Sequence, residues 1–382
     1  GAWIGYQYAT FSGGTGAKDD PYIIKYSEQL AYLTTSSAAT YDATVGKYYK
    51  VDDSIKAFDM NTSGLDLSGE MTAQEVYDLL NDEVVGRVYW SMSKFAGNFD
   101  GQMHSISGIY LKTDSRFAGL FAETTTTAVV KNISLLDSYF EAKGGDCGSI
   151  VGRGKGGTFD TIYSDATVIC SNSRVGGLFG QLYSGGVTIN NCWFDGSVTA
   201  TGNSTAYRGS AGILGYYSGG GCVISNSLNT GIVDASAYDY NQKENGTLII
   251  PLAAGVVGQI DAKSNITIEN CLNTGNIKVS EKAQAGNLGF GAIYGWNDGN
   301  VEIVDTYTTK ESSSRISGGS EGTVEGAIRQ VATADIKGYD GYQWTVLDFD
   351  KYWAVALEST PILKSFASTV PSLAGIEKMI DF

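Results

Sequence analysis

Two carboxylates have a spacing that suits acid–base or metal chemistry. Asp165 and Asp195 each stand six residues after an apolar strand residue, Phe159 and Ile189, in consecutive copies of a repeat. Parallel strands would set the two side chains about 5 Å apart, the separation of a retaining glycosidase pair. Such a pair could equally hold Ca²⁺ together with backbone carbonyls. The same position is threonine in later copies, and Asp before Gly196 is ordinary turn chemistry. We therefore favour a turn role for both aspartates.

The histidine and cysteine content argues against an enzyme but does not exclude one. His104 is the single histidine, which excludes any site built from two or more histidines. The cysteines number five, so they cannot all pair with one another. Cys192 and Cys271 would lie two coils apart, roughly 9–10 Å, beyond the reach of a disulfide. We predict reduced cysteines that serve packing, and no cofactor apart from Ca²⁺ at the aspartate pair.

A repeat organises the chain and would position these groups. A block of one small residue, two apolar residues and a closing glycine recurs, with the closing glycines at 152, 180, 215, 258 and 295. A repeat of 20–50 residues indicates a solenoid, a propeller or an array. Short strands separated by Gly, Asn and Asp favour strands in every copy. We therefore predict an all-β fold, a right-handed parallel β-helix with one coil per repeat.

Stacked coils would place equivalent residues in columns. An inward aliphatic ladder is predicted at Ile189, Ile224, Ile268 and Ile303. An asparagine ladder, with each amide bonding to the next coil, is predicted at Asn191, Asn226 and Asn270. One turn is predicted at Gly196, Gly231 and Gly275, where positive φ or close backbone approach makes a side chain costly.

The ends of a coil stack need covering, and the chain divides accordingly into three predicted parts. We place an N-terminal cap with short helices at 1–88, the β-helix at 89–318 and a C-terminal cap at 319–382. Within the first cap we predict a helix at 28–33, and a capping box at 72–75 opens a second helix.

Insertions enter the coils at one side. The gap from a closing glycine to the next strand stays at 7 to 10 residues, whereas the rest of the coil varies from 21 to 34. Insertions at one angular position form a ridge, and such a face often binds ligands. Tyrosines beside charged groups suit sugar rings through stacking and hydrogen bonds. The candidate ligand-binding residues on this ridge are Tyr207, Arg208, Tyr238, Asp239 and Tyr240. Alternatively, these loops cover one flank and pack their own tyrosines.

Charge limits the partners. Acidic residues number 41 against 26 basic ones, a net charge of −15, which repels nucleic acid and anionic membrane surfaces. There is also no run of about 18 apolar residues, so we predict no membrane insertion. Cations or neutral polymers are the better partners, and we predict a monomer.

The block 176–180, Gly-Gly-Leu-Phe-Gly, resembles the GLUG motif of bacterial cell-surface and adhesin-like proteins. The stretches 95–106 and 270–275 match as well, 13–33 looks like the lead-in of these proteins, and Trp353 with 361–364 looks like their exit. In three blocks, serine or alanine replaces an expected glycine. The resemblance implies a secreted or cell-surface β-helix.

We expect an extracellular adhesin-like module that contacts a glycan or a host surface protein through the ridge. The alternative is a polysaccharide lyase or glycoside hydrolase, which would need an aromatic-lined groove with two carboxylates within about 10 Å. A third hypothesis is a rigid stalk that binds nothing itself.

Overall fold

The computed structural model describes residues 3, 7–36, 38–60, 94–113, 117–171, 173–201, 209–237, 243–244, 247–248, 250, 252–286, 289–368 and 379–380. Within these residues the fold is all-β, as predicted, and most strand pairs are parallel. Three parallel sheets, here called sheets 1, 2 and 3, form the body of the molecule.

Each repeat passes through the three sheets in turn. Sheet 1 has nineteen described strands: Tyr22–Ile24, Tyr48–Val51, Ala57–Asp59, Lys94–Phe95, Asn98–Ser107, Phe121–Thr124, Val129–Leu136, Val151–Ser164, Phe179–Phe194, Leu214–Ser218, Cys222–Ser225, Leu228–Asn229, Val257–Ile260, Asn265–Glu269, Leu272–Asn273, Tyr294–Asn297, Asn300–Thr309, Gly319–Ser320 and Thr323–Val331. Sheet 2 comprises Tyr110–Thr113, Tyr139–Ala142, Thr167–Ser171, Ser197–Thr201, Ile232–Asp234 and Ile277–Lys278. Sheet 3 comprises Cys147–Gly148, Val175–Gly176, Ser210–Ala211, Ala253–Ala254 and Phe290–Gly291.

The smaller elements lie outside these sheets. Antiparallel pairs join Lys243–Glu244 with Thr247–Leu248, and Trp353–Ala356 with both Ile362–Leu363 and Met379–Ile380. The described helices are Ser27–Thr35, Tyr41–Thr44, Glu281–Gly286 and Tyr339–Trp344, with 3₁₀ turns at Thr333–Ile336 and Lys364–Phe366. The helix predicted at 28–33 is therefore confirmed, whereas the capping box at 72–75 lies outside the described residues. Among the described residues, the structure has no helix with the length and apolar character needed to cross a bilayer.

The register of the strands confirms the inward aliphatic ladder. Ile189 pairs with Ile224, Ile224 with Ile268, and Ile268 with Ile303. All four side chains are at most 4% exposed. Side chains alternate between the two faces of a strand, so this single register brings the β-branched positions of every repeat into one core.

The predicted asparagine ladder is confirmed in part, because the amides of Asn191 and Asn226 bond to the preceding repeat, although not to each other. Asn191, Asn226 and Asn270 have φ of 54°, 49° and 50°, a left-handed conformation that asparagine tolerates better than most residues. This conformation turns the chain at the bend. The amide of Asn226 donates to Asn190 at 2.9 Å. A second amide-to-amide bond between repeats joins Asn229 and Asn273, at 2.8 Å.

The turn glycines are required by close backbone approach. A Cβ atom added to Gly196 would lie 2.0 Å from the carbonyl oxygen of Ala166, and one added to Gly275 would lie 2.0 Å from that of Gly231. Of the two predicted reasons, close approach is the correct one. The five cysteines are free and buried, as predicted. Burial raises the pKa of Cys192 and Cys271, which suppresses their thiolates.

A second apolar core lies on the outward side of sheet 1. It is formed by in-register side chains, here called the covered column, at Tyr163, Trp193, Leu228, Leu272 and Tyr307. The C-terminal segment, residues 333–367, packs on this column. Its contacting residues include Ile336, Leu347, Phe349, Trp353, Ile362 and Phe366. The segment therefore covers the flank of the stack.

Parallel pairing reaches beyond both predicted domain boundaries. Tyr22–Ile24 pairs with Tyr48–Val51, within the predicted cap 1–88. Thr323–Val331, within the predicted cap 319–382, pairs with the preceding strand of sheet 1. Sheet 1 therefore runs into both predicted caps, and the division into three parts stays a prediction.

Candidate ligand-binding face

The predicted ligand-binding residues Tyr207, Arg208, Tyr238, Asp239 and Tyr240 lie outside the described residues. Their insertions can still be placed by the strands that flank them. Each insertion leaves a strand of sheet 2 and rejoins the chain at a strand of sheet 3, and both sets of strands are stacked in register. The structure thus confirms that the insertions enter at one corner of the repeat.

Asp165 and Asp195 are held by turn and inter-repeat hydrogen bonds. Asp165 accepts a bond from the backbone N–H of Asp137 at 2.8 Å. Asp195 accepts bonds from the hydroxyls of Tyr163, at 3.0 Å, and Thr230. Burial raises the pKa of Asp165 to about 6, and the nearby charges of Asp137 and Asp195 add to the shift. No cluster of three or more His, Cys, Asp or Glu residues suited to a metal occurs in the described ranges.

A better candidate for ligand binding than the aspartate pair lies on sheet 1, directly after each closing block. Outward side chains there stack in register in a first column at Glu123, Arg153, Gln181, Tyr216, Gln259 and Trp296. A second column beside it contains Lys155, Tyr183, Ser218, Asp261 and Asp298. We call these two columns the polar face. The available sequence signal is positional, because each member of the first column follows the last residue of a closing block.

Arg174 anchors the middle of the polar face. Its guanidinium lies 3.9 Å from the ring centre of Tyr216 and donates to Gln181 Oε1 at 3.1 Å. It also faces the carboxylate of Asp146 at 3.9 Å, which accepts a hydrogen bond from Ser173 at 2.6 Å. Burial raises the pKa of Asp146, and the bonds from Ser173 and Arg174 oppose that shift. Arg174 thus has an amide acceptor and a facing carboxylate within the protein.

Arg153 occupies a different environment. Its guanidinium lies 5.2 Å from the ring centre of Phe117, in the preceding repeat, and 4.7 Å from that of Tyr183, in the following one. Its Nε is buried without a hydrogen-bond partner, and no ion pair of Arg153 occurs among the described residues. The adjacent carboxylate, Glu123, faces Lys94 at 3.9 Å. Arg153 is therefore held by aromatic rings, with cation–π attraction in place of an anion.

The far end of the polar face presents an indole. Trp296 is half-buried, and its Nε1 donates to Asp298 at 2.7 Å. The hydroxyl of Ser218 donates to Asp261 at 3.2 Å and so joins the repeat of Tyr216 to that of Gln259. The polar face thus combines aromatic surfaces with amide, hydroxyl and carboxylate groups, the mixture found in sites for polar ligands.

Comparison with known proteins supports the fold more than a function. No family model matches the chain. The chain is similar to Halomucin of Haloquadratum walsbyi, with 29% identity over 168 residues; this stretch is 44% of the chain but only 2% of Halomucin. A crystal structure named “putative immunoglobulin A1 protease”, from Bacteroides ovatus, superposes with a TM-score of 0.57 and 18% identity over 93% of this chain and 95% of that one. At this identity, the likeness shows the fold alone.

Proposed function

We propose that the chain is an extracellular adhesin-like module that binds a glycan along the polar face. The proposed scaffold is a right-handed β-helix. Support for it comes from the in-register parallel strands, the passage of each repeat through three sheets, and the resemblance of the closing blocks to the GLUG motif. The same resemblance supports a secreted or cell-surface location.

The observation that carries the binding proposal is the repetition of the polar face. Its first column spans five steps between neighbouring strands, from Glu123 to Trp296, which is about 24 Å at the usual strand spacing. A ladder of equally spaced groups suits a linear polymer of similar units. Aromatic side chains such as Tyr183 and Trp296 can stack on sugar rings, while Gln259 and Asp261 can bond sugar hydroxyls.

One insertion rejoins the described chain beside the same face. The insertion that contains Tyr207 and Arg208 rejoins the described chain at Gly209. A Cβ atom on Gly209 would lie 3.3 Å from that of Gln259, so this junction borders the polar face. In our proposal the ridge and the polar face form one extended site, with Tyr238 and Tyr240 on the next insertion.

Affinity electrophoresis and a glycan array test this function. We expect the double variant Tyr183→Ala, Trp296→Ala to lose at least about tenfold in affinity, equivalent to 1.4 kcal/mol. The triple variant Tyr207→Ala, Tyr238→Ala, Tyr240→Ala tests the ridge separately. Trp344→Ala is the matched control, because Trp344 is 64% exposed away from the polar face.

Unchanged affinity in the double variant would refute binding at the polar face. Unchanged affinity in the triple variant alone would confine the site to the polar face. The length of the bound polymer should stay constant during incubation. Shortening of the polymer would instead favour the lyase or hydrolase alternative.

A further inference from the structure

Arg153, in the polar face, and Arg174, beside it, differ in the partners of their guanidinium groups. Arg174 has Gln181 and Asp146 as internal partners. Arg153 contacts aromatic rings, and its guanidinium makes no hydrogen bond within the described part of the chain. Guanidinium groups rarely stay without an acceptor where they are partly buried. Arg153 therefore has donor capacity that an external acceptor could use.

The surroundings of Arg153 fix its orientation. Phe117 and Tyr183 contact the guanidinium from the repeats on either side, and its Nε is buried. The terminal nitrogens are consequently the donors left toward solvent. A side chain already held in place loses little conformational freedom when a ligand binds, so its hydrogen bonds contribute more to affinity.

Glu123, the cross-strand neighbour of Arg153, and Asp146 each face another cation. Glu123 pairs with Lys94, and Asp146 is bonded by Ser173 and faces Arg174. They leave the positive charge of Arg153 without a paired anion among the described residues. A neutral sugar would offer this group only hydroxyl oxygens. A carboxylate would offer two parallel acceptors whose plane matches the guanidinium.

We infer that the glycan is a polyuronate, and that Arg153 binds the carboxylate of one uronic acid unit while Tyr183 supports the neighbouring ring. This inference rests on the proposed function, since it names the ligand class of the same face. It also refines the expectation of a neutral partner, because the chain carries a net charge of −15 but presents a local cation at this position.

Calorimetric titration with matched polymers tests the inference. The probes are polygalacturonate, alginate and hyaluronate, each compared with its carboxyl-esterified form, at two salt concentrations. We expect the native protein to bind at least one acidic polymer about tenfold more tightly than its ester. Arg153→Gln should abolish that preference, and Arg153→Lys should retain only a small part of it. Lys278→Gln is the control, because Lys278 is an exposed cation on sheet 2, outside the polar face.

Three results would overturn the inference. The native protein could bind acid and ester equally, it could prefer a neutral glycan, or Lys278→Gln could lose as much affinity as Arg153→Gln. The acid-over-ester comparison uses native protein, so it decides the question even if Arg153→Gln fails to fold. Binding of neutral glycans that depends on Tyr183 would refute the polyuronate and retain the proposed function. No binding to any glycan would refute both.

Discussion

The covered column and the polar face are both carried by sheet 1, yet the covered column is buried throughout, whereas most of the polar face, apart from Gln181 and Tyr216, is partly exposed. Strand Phe179–Phe194 contributes Gln181 to the polar face and Trp193 to the covered column. Trp193 is 2% exposed beneath the C-terminal segment, whereas the polar face lies outside both apolar clusters. The backbone pairing is parallel in both regions.

The difference shows that outward side chains decide how each part of a repetitive sheet is used. Aromatic and aliphatic side chains such as Tyr163 and Leu228 exclude water and recruit the C-terminal segment, which buries them. Amides, charges and half-buried rings such as Gln259 and Tyr183 gain less from burial and remain available to a partner. One scaffold therefore yields a structural flank and a candidate binding flank.

The largest contrast between the two regions should appear when a tryptophan is removed from each. Trp193→Ala should cost about 3–5 kcal/mol, because it leaves a cavity under the C-terminal segment and removes the bond to Thr230 at 2.8 Å. Trp296→Ala should cost about 1 kcal/mol or less, because Trp296 is partly exposed. Urea denaturation of both variants measures the difference. Equal losses would show that the polar face is a structural core as well.

The two arginines sharpen the contrast within the polar face. Arg174→Ala should cost roughly 3 kcal/mol near pH 8, because it leaves the buried Asp146 carboxylate without its cation. Burial raises the pKa of Asp146, and loss of Arg174 would raise it further. The stability cost of Arg174→Ala is therefore greatest at pH values above the folded-state pKa of Asp146. It falls as the pH drops and the Asp146 carboxyl group becomes protonated.

Arg153→Ala is the matched control for this prediction. It removes ring contacts and no ion pair among the described residues, so its cost should be about 1 kcal/mol and nearly independent of pH. Adding Asp146→Asn to Arg174→Ala should recover part of the lost stability. Thermal unfolding between pH 4 and pH 8 measures these stabilities. The same pH dependence of stability in Arg174→Ala and Arg153→Ala would contradict this account.

The smallest effect concerns Asp165, next to the covered column. Burial raises its pKa to about 6, so folding favours the protonated form and the ionised form is a liability. Asp165→Asn should therefore stabilise the protein above pH 6, by about 1 kcal/mol or less because the group is partly exposed. The gain should vanish as the pH falls from 6 towards 4. Asp350→Asn, at an exposed site, is the control, and the melting temperature of each variant is measured across this pH range. A gain in stability of Asp165→Asn that stays constant at all pH values would contradict the raised pKa of Asp165.

The sequence is informative where the backbone alone dictates the residue. The inward ladder of Ile189, Ile224 and Ile268 was predictable, because alternation and β-branched residues fix both face and register. The turn at Gly196 was predictable because the carbonyl of Ala166 excludes a side chain.

The sequence is less informative where tertiary contacts decide. The first column of the polar face varies in residue type from repeat to repeat, so no compositional pattern marks it. The covered column contains apolar residues that could equally belong to the inner core. Its role depends on the distant C-terminal segment, which has no repeat of its own. The amide of Asn191 also donates to Ser365 of the C-terminal segment, and this bond does not follow from the repeat.

Hydroxyl-radical footprinting with and without polyuronate tests the central claim most directly, because it locates the ligand without any substitution. We predict protection of Tyr183 and Trp296 on the polar face, with no change at Trp344, which is 64% exposed. Protection confined to other surfaces, with Tyr183 and Trp296 as reactive as in the free protein, would contradict the assignment of the polar face as the binding site.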